Sequence, residues 1–353
     1  MLSLSPAPRA VCGAAILLSL CFLIGSSEPA AAQGEVNVYS SRSRSLVGPL
    51  LKLFEDLTGV KTNIVYARKD LIGRVAGANA AGRVDVILAN QFSQLVEAKE
   101  RGLTQAAGRQ VLADRIPFRY RDPGGHWFGL SKRVRIVLAS KSRVNQQAFT
   151  YEELADPRWK GKICIRSGKH PYNLVLISSL IAHKGEVWTE KWLRGLKTNL
   201  AVKPSGGDRT QAGKVYSGKC DIAILNSYYV GAMMTNEKHP EQKEWVSSAR
   251  VIFPNGRGRG AHMSVSGMAL ARNAPHRENG LLLMDFLTSQ PAQFFFALEN
   301  YEYPVRTDVQ VSPLVAHWGN HRLDAIELGQ LASLTGRAAN LVDKIHFDAG
   351  PGQ

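Results

Sequence analysis

Residues 35–90, EVNVYSSRSRSLVGPLLKLFEDLTGVKTNIVYARKDLIGRVAGANAAGRVDVILAN, alternate short apolar runs with longer amphipathic ones. Alternation of valines over 35–39 predicts a strand. Leu46, Leu50, Leu53, Phe54 and Leu57 recur at helical spacing over 46–58, and Gly59 supplies the stop. A second strand over 61–65, a helix over 70–80 and a third strand over 84–88 complete a βαβαβ unit. Such a unit gathers the C-terminal ends of its strands at one sheet edge, where open α/β sheets bind ligands.

The pattern repeats downstream. Strands are expected at 135–139, 162–165 and 222–225, and helices at 173–183 and 187–196. Thr150-Tyr151-Glu152-Glu153 reads as a capping box that opens a helix. The chain crosses between the two halves at 128–139 and again at 251–254. A strand over 263–270, a helix over 280–287 and terminal helices over about 323–329 and 336–348 follow. The expectation is an α/β protein of two lobes: 33–130 with 255–302 forms the N-terminal lobe, and 131–254 with 303–353 the C-terminal lobe. Two passages between lobes describe a hinged clamp.

Composition agrees with a folded chain: 353 residues, 44% hydrophobic and 21% charged, leave disorder, collagen and coiled coil without support. Arg9, an apolar run over 11–24 and Ala30-Ala31-Ala32 read as a secretory signal peptide spanning 1–32. No later run reaches the roughly 18–20 apolar residues of a membrane span. Losing 1–32 removes one cation, Arg9, and one anion, Glu28, so the formal charge of +15 persists. An exported chain whose cations are scattered singly points to an anionic small ligand, an anionic membrane surface or simple solubility rather than to nucleic acid. Cys164 and Cys220 lie near strand starts; an oxidising compartment permits their pairing, and the sequence leaves open whether they meet. There is no CxxC pair and no HExxH, which argues against zinc.

The informative constellation is Asn226-Ser227-Tyr228-Tyr229, directly after the strand at 222–225. Phenolate is a hard oxygen donor, and a trivalent cation displaces its proton near neutral pH although the free group titrates near ~10. A third phenol, Tyr172, follows the strand at 162–165, and three phenolates neutralise Fe(III). By itself a Tyr-Tyr pair reads first as packing, with its hydroxyls hydrogen-bonded.

Six segments fall in the order found in the periplasmic ferric-iron-binding proteins of ABC importers, which the chain resembles over nearly all of its length after residue 32. They are Tyr39-Ser40-Ser41-Arg42, 155–162 (ADPRWKGK), Asn226-Ser227-Tyr228-Tyr229, Phe253-Pro254-Asn255, Val265-Ser266-Gly267 and Glu302-Tyr303-Pro304. The resemblance implies a two-lobed periplasmic binding protein with two crossover strands, working as a monomer with an ABC permease in the inner membrane. It also implies Fe(III) as the bound ligand and places Tyr228 and Tyr229 at the family's paired tyrosine ligands. Tyr172 takes the place of a further tyrosine ligand used in some members.

One departure stands out. Where many members carry a ligand histidine, in some followed by a tyrosine, this chain has Ser43 and Arg44; where certain members carry a glutamate, it has Asn90-Gln91. The N-terminal lobe thus offers no metal ligand. Either carbonate or another synergistic anion completes the iron shell, or the site takes an anionic organic ligand or a ferric chelate. Arg42, Ser43 and Arg44 are the expected anion cradle, with Arg259 facing them; Arg166 and Lys169 are secondary. His262 reads as an ordinary polar residue at a strand start. Residues 256–261 (GRGRGA) loosely resemble a dinucleotide fingerprint, but a strand pattern follows where a helix is needed, so they read as an interlobe loop. No nucleophile elbow, P-loop or paired-carboxylate motif is present, and Ser43, Ser227 and His262 are the only nominees for a hydrolase. The chain is therefore expected not to be an enzyme.

Overall fold

The structure, a computed structural model, describes residues 34–352. The signal peptide expected over 1–32 lies outside the described residues. Ten strands follow in chain order: β1 (Glu35–Ser40), β2 (Lys61–Tyr66), β3 (Val86–Ala89), β4 (Thr104–Gln105), β5 (Trp127–Ser140), β6 (Ile163–Cys164), β7 (Ile222–Asn226), β8 (Ala249–Ile252), β9 (Met263–Ala271) and β10 (Tyr303–Pro304). The opening unit forms as the spacing predicts, with α1 (Arg44–Thr58) and α2 (Leu71–Ala80) between parallel strands. Gly59, at φ 72°, closes α1 by donating its N–H to Glu55 O. A further helix, α3 (Phe92–Glu100), follows β3.

β5 holds the molecule together. Its first half, Trp127 to Val134, pairs antiparallel with β9, which in turn pairs with β3 and the opening unit. Its second half, from Arg135 onward, pairs with β7 and β8, and β7 carries β6 in parallel. A single strand thus belongs to both lobes. The second passage runs from β8 through Ala261, which bridges to Leu323, into β9. One buried cluster runs from Val36, Leu50, Phe54 and Ile87 through β5 to Ala223, Leu225 and Val230, and a second, with Ile163, Leu180, Ile222 and Phe347, lies on the β6–β7 side alone.

Three expectations change. Thr150 and Glu153 do bond reciprocally, Thr150 N–H to Glu153 Oε2 at 2.7 Å and Glu153 N–H to Thr150 Oγ1 at 3.2 Å, yet only the 3₁₀ turn Glu152–Ala155 results. Pro157 lacks an N–H and disfavours helical backbone at Asp156, so the box has no helix to open. The terminal helices run Leu328–Ser333 and Thr335–Lys344, because Leu323 and Asp324 are engaged by the interlobe passage. Tyr228 and Tyr229, expected directly after the strand with no helix assigned there, lie in the first turn of the helix Ser227–Met234.

Cys164 and Cys220 form a disulfide with Cα atoms 5.9 Å apart, joining the ends of β6 and the loop before β7 across 56 residues. Closing a loop of that length removes about 4 kcal/mol of unfolded-state entropy. Paired Cys164→Ser and Cys220→Ser should lower the urea-unfolding free energy by roughly 2–4 kcal/mol; an unchanged midpoint would show the bridge to be energetically silent.

Candidate functional site

Two helix N-termini converge on one pocket. Asp208 holds the end of β7 by accepting from the Asn226 N–H at 2.8 Å, and the helix Ser227–Met234 starts immediately, presenting Tyr228 and Tyr229 in its first turn. Pro171 occupies the first position of the helix Pro171–Lys184, so Tyr172 lies in that helix's first turn as well. The rings of Tyr228 and Tyr229 lie 4.1 Å apart. All three tyrosines line a pocket of about 100 Å³. Across from them lie Ser41, Arg42, Ser43, Leu46, Arg68 and Asn90; Arg166 and His170 complete the wall.

Beneath the tyrosines lies a buried charge network. Arg133, on β5 and fully buried, donates to the Tyr172 hydroxyl at 3.3 Å and to the Asn90 carbonyl, touching both sides of the pocket. Its Nε is 3.9 Å from Glu302 Oε1. Glu302 Oε2 accepts from Arg42 at 2.8 Å and from the Ser131 hydroxyl at 2.5 Å. On the other side, Asp208 binds Arg135 at 2.9 Å and Arg166 at 3.1 Å, and Arg166 lies 5.2 Å from the Tyr172 ring centre. Ser41 ties the opposite loop together, its hydroxyl accepting from the Asn90 N–H at 2.9 Å.

Burial, and next the neighbouring Tyr172, raise the Tyr228 phenol well above its ordinary value and push Tyr229 up to about 12. Both are therefore neutral phenols at pH 7 until something displaces their protons. His170 accepts the Tyr172 N–H on Nδ1 at 3.2 Å. Burial and the surrounding guanidinium groups, Arg166 first, hold its pKa down at about 2, so the ring stays neutral. Among the described residues no cluster of three histidine, cysteine or acidic side chains is placed to hold a metal. A hard cation in this pocket must use the phenols.

Of the seven residues singled out from the sequence, Tyr172, Tyr228, Tyr229, Arg42 and Ser43 line one pocket. Arg42, however, is turned to Glu302 and lies over the Phe296 ring, so its guanidinium neutralises a carboxylate. Arg44 does not line the pocket; it lies exposed at the start of α1, over the Tyr66 ring at 4.9 Å. Arg259 pairs with Glu152 and approaches Asp324 at 3.7 Å, outside the pocket. His262 is buried in the crossing and also stands apart. Beside Arg42, Arg68 and Arg166 line the pocket and Arg133 reaches the Tyr172 hydroxyl; of these last three, sequence reading named only Arg166. Arg133 had a visible signal: a cation within the crossing stretch 128–139, next to the apolar Val134, needs a buried partner.

A fold of two lobes on shared crossover strands, with a polar pocket lined by tyrosines and cations, is that of a solute-binding protein. The chain belongs to the bacterial extracellular solute-binding protein family, whose model matches residues 83–321; it is not an enzyme. It is 37% identical to the iron uptake protein A1 of Synechocystis over 314 residues, covering 88% of this chain and 87% of that one. The apo ferric ion-binding protein A of Pasteurella haemolytica superposes with a TM-score of 0.85 at 41% identity, covering 89% of this chain and 98% of that one. The Trichodesmium protein solved with iron and citrate matches with a TM-score of 0.82 at 34% identity, covering 89% and 100%.

Proposed function

We propose that this protein captures Fe(III) in the periplasm, holding it through the phenolates of Tyr172, Tyr228 and Tyr229, and delivers it to an ABC permease of the inner membrane as a monomer released from its signal peptide. The convergence of three phenols in one small pocket above a buried arginine carries the reading. Phenolates supply the three negative charges that Fe(III) needs, and Arg133 and Arg166 stabilise those charges as the metal displaces the phenol protons. Carbonate or another small anion completes the shell from the opposite wall, where Ser41, Ser43, Arg68 and Asn90 offer hydroxyl, amide and guanidinium donors. Closure of the lobes about β5 excludes water from the shell.

The alternative, an organic anion or ferric chelate, draws support from the cation-rich wall. Against a free organic anion stands size: ligand pockets for such molecules run to about 300–1,000 Å³, and about 100 Å³ suits a metal ion with a small anion. The pH dependence separates the two. Each of the three phenols gives up a proton on ligating iron, so affinity should climb with pH by about three log units per unit near neutrality. Calorimetry in buffers of different ionisation enthalpy counts those protons. Binding of iron with no proton release would overturn tyrosinate ligation.

A further inference from the structure

Tyr301 holds a backbone angle that a bulky side chain rarely takes, φ 55°. The other non-glycine residues in that region, among those described, are Asp70, Asn255 and His346, all of polar types that tolerate it. The chain turns at 301 after the helix Gln290–Leu298, and glycine would make that turn without strain. Both neighbours of Tyr301 are pinned. Asn300 donates its side-chain amide to Leu46 O at 3.0 Å, in the first turn of α1, and Glu302 accepts from Arg42 at 2.8 Å. Leu46 and Arg42 line the pocket wall that faces the tyrosines, so residues 300–302 are fixed to that wall.

The ring of Tyr301 reaches the other lobe. It covers Gly231 in the helix Ser227–Met234 so closely that a Cβ on Gly231 would collide with it, and the three atoms nearest to such a Cβ all belong to Tyr301. The Tyr301 hydroxyl donates to Thr235 Oγ1 at 2.9 Å, at the end of the same helix. The first turn of that helix carries Tyr228 and Tyr229. A short helix moves as a rigid element, so a contact on its second turn fixes where its first turn points. Strained backbone persists where the surroundings over-determine it, and such residues cluster at ligand clamps.

We propose that Tyr301 is a positioning residue of the iron site: its ring clasps the helix that carries Tyr228 and Tyr229 to the opposite lobe, and so sets those phenols against the wall of Ser41, Ser43 and Asn90. This role presupposes tyrosinate ligation in that pocket. Tyr301 itself lines neither side of it.

Tyr301→Phe, Tyr301→Gly, Gly231→Ala and the double variant Tyr301→Gly with Gly231→Ala test the clasp, by ferric ion titration followed in the visible band and by thermal unfolding. Tyr301→Gly should stay folded, since glycine takes the left-handed angle freely. It should bind iron about 10–100-fold more weakly, the cost of losing an outer partner of a metal site, with its band displaced in wavelength. Tyr301→Phe keeps the ring and loses one hydrogen bond at the surface, so its affinity should stay within about threefold of the parent protein's. Gly231→Ala should displace the ring, weaken iron binding and lower the unfolding temperature. In the Tyr301→Gly background the same alanine meets no side chain there; it should leave affinity unchanged and raise the unfolding temperature, because alanine favours helix over glycine. Parent-like affinity in Tyr301→Gly, equal effects of Gly231→Ala in both backgrounds, or Tyr301→Phe as weak as Tyr301→Gly would overturn the clasp while tyrosinate ligation stands. A parent protein that gives no visible band with ferric ion would overturn ligation itself, and the clasp with it.

Discussion

Tyr228→Phe should abolish the visible charge-transfer band that ferric ion gives on titration into the parent protein, and should weaken iron binding by more than the roughly 10–100-fold that losing an outer partner costs a metal site. The substitution keeps the ring, which is 4% exposed and lies against Tyr229, and removes only the oxygen. A phenyl group cannot carry the negative charge that a trivalent cation needs, and the described residues place no cluster of acidic or histidine side chains to replace it. The hydroxyl removed shares one hydrogen bond with Tyr229, whose loss costs about 0.5–1.5 kcal/mol, so a folded variant without colour isolates ligation from folding. Tyr172→Phe makes a second arm: it removes an oxygen and also leaves Arg133 without the hydroxyl it donates to. Titration with ferric citrate, with and without bicarbonate, reads both the band and the anion's part in it. Full colour and affinity in Tyr228→Phe would refute the assignment.

Glu302→Gln should destabilise the protein by about 3–5 kcal/mol, the loss seen when one member of a buried ion pair is removed. The side chains of Glu302, Arg42 and Arg133 are all 0% exposed. Glu302 is the carboxylate that faces both guanidinium groups, so its replacement by a neutral amide leaves two cations in the interior with only hydroxyl and carbonyl partners. The amide also presents N–H groups where Arg42 and Ser131 now donate, turning an acceptor toward donors. Iron affinity should fall as well, because Arg133 reaches both the Tyr172 hydroxyl and the Asn90 loop. Urea unfolding checks the first claim; a shift below about 1 kcal/mol, the range of an exposed pair, would mean that water or rearrangement compensates the charges.

The parts of the fold legible in sequence were those governed by local periodicity. Every strand expected in the opening unit forms, since alternation and helical spacing act over a few residues. The capping box at Thr150 was also legible, and its hydrogen bonds form, but Pro157 overrules the helix it announces. The three tyrosines were found because phenols after strand ends are unusual and because of a family resemblance. Their placement in helix first turns was missed: the short helix Ser227–Met234 is buried nearly all round and shows no amphipathic stripe.

Arginine assignment could not be made from sequence, and the reason is physical. Arg42, Arg44 and Arg259 looked alike as loop cations near the cleft. Arg42 is claimed by Glu302, 260 residues away, Arg259 by Glu152 at a separation of 107, and Arg44 by an aromatic face. A guanidinium goes to whichever carboxylate shares its buried volume, and separation along the chain says nothing about that volume. The amino-acid sequence by itself determined the α/β alternation, the crossing of two lobes and the supply of three phenols. Only the tertiary structure decided which cations stand beneath those phenols and which are neutralised elsewhere, because periodicity is a property of near neighbours in the chain whereas charge pairing in a low-dielectric interior is a property of neighbours in space.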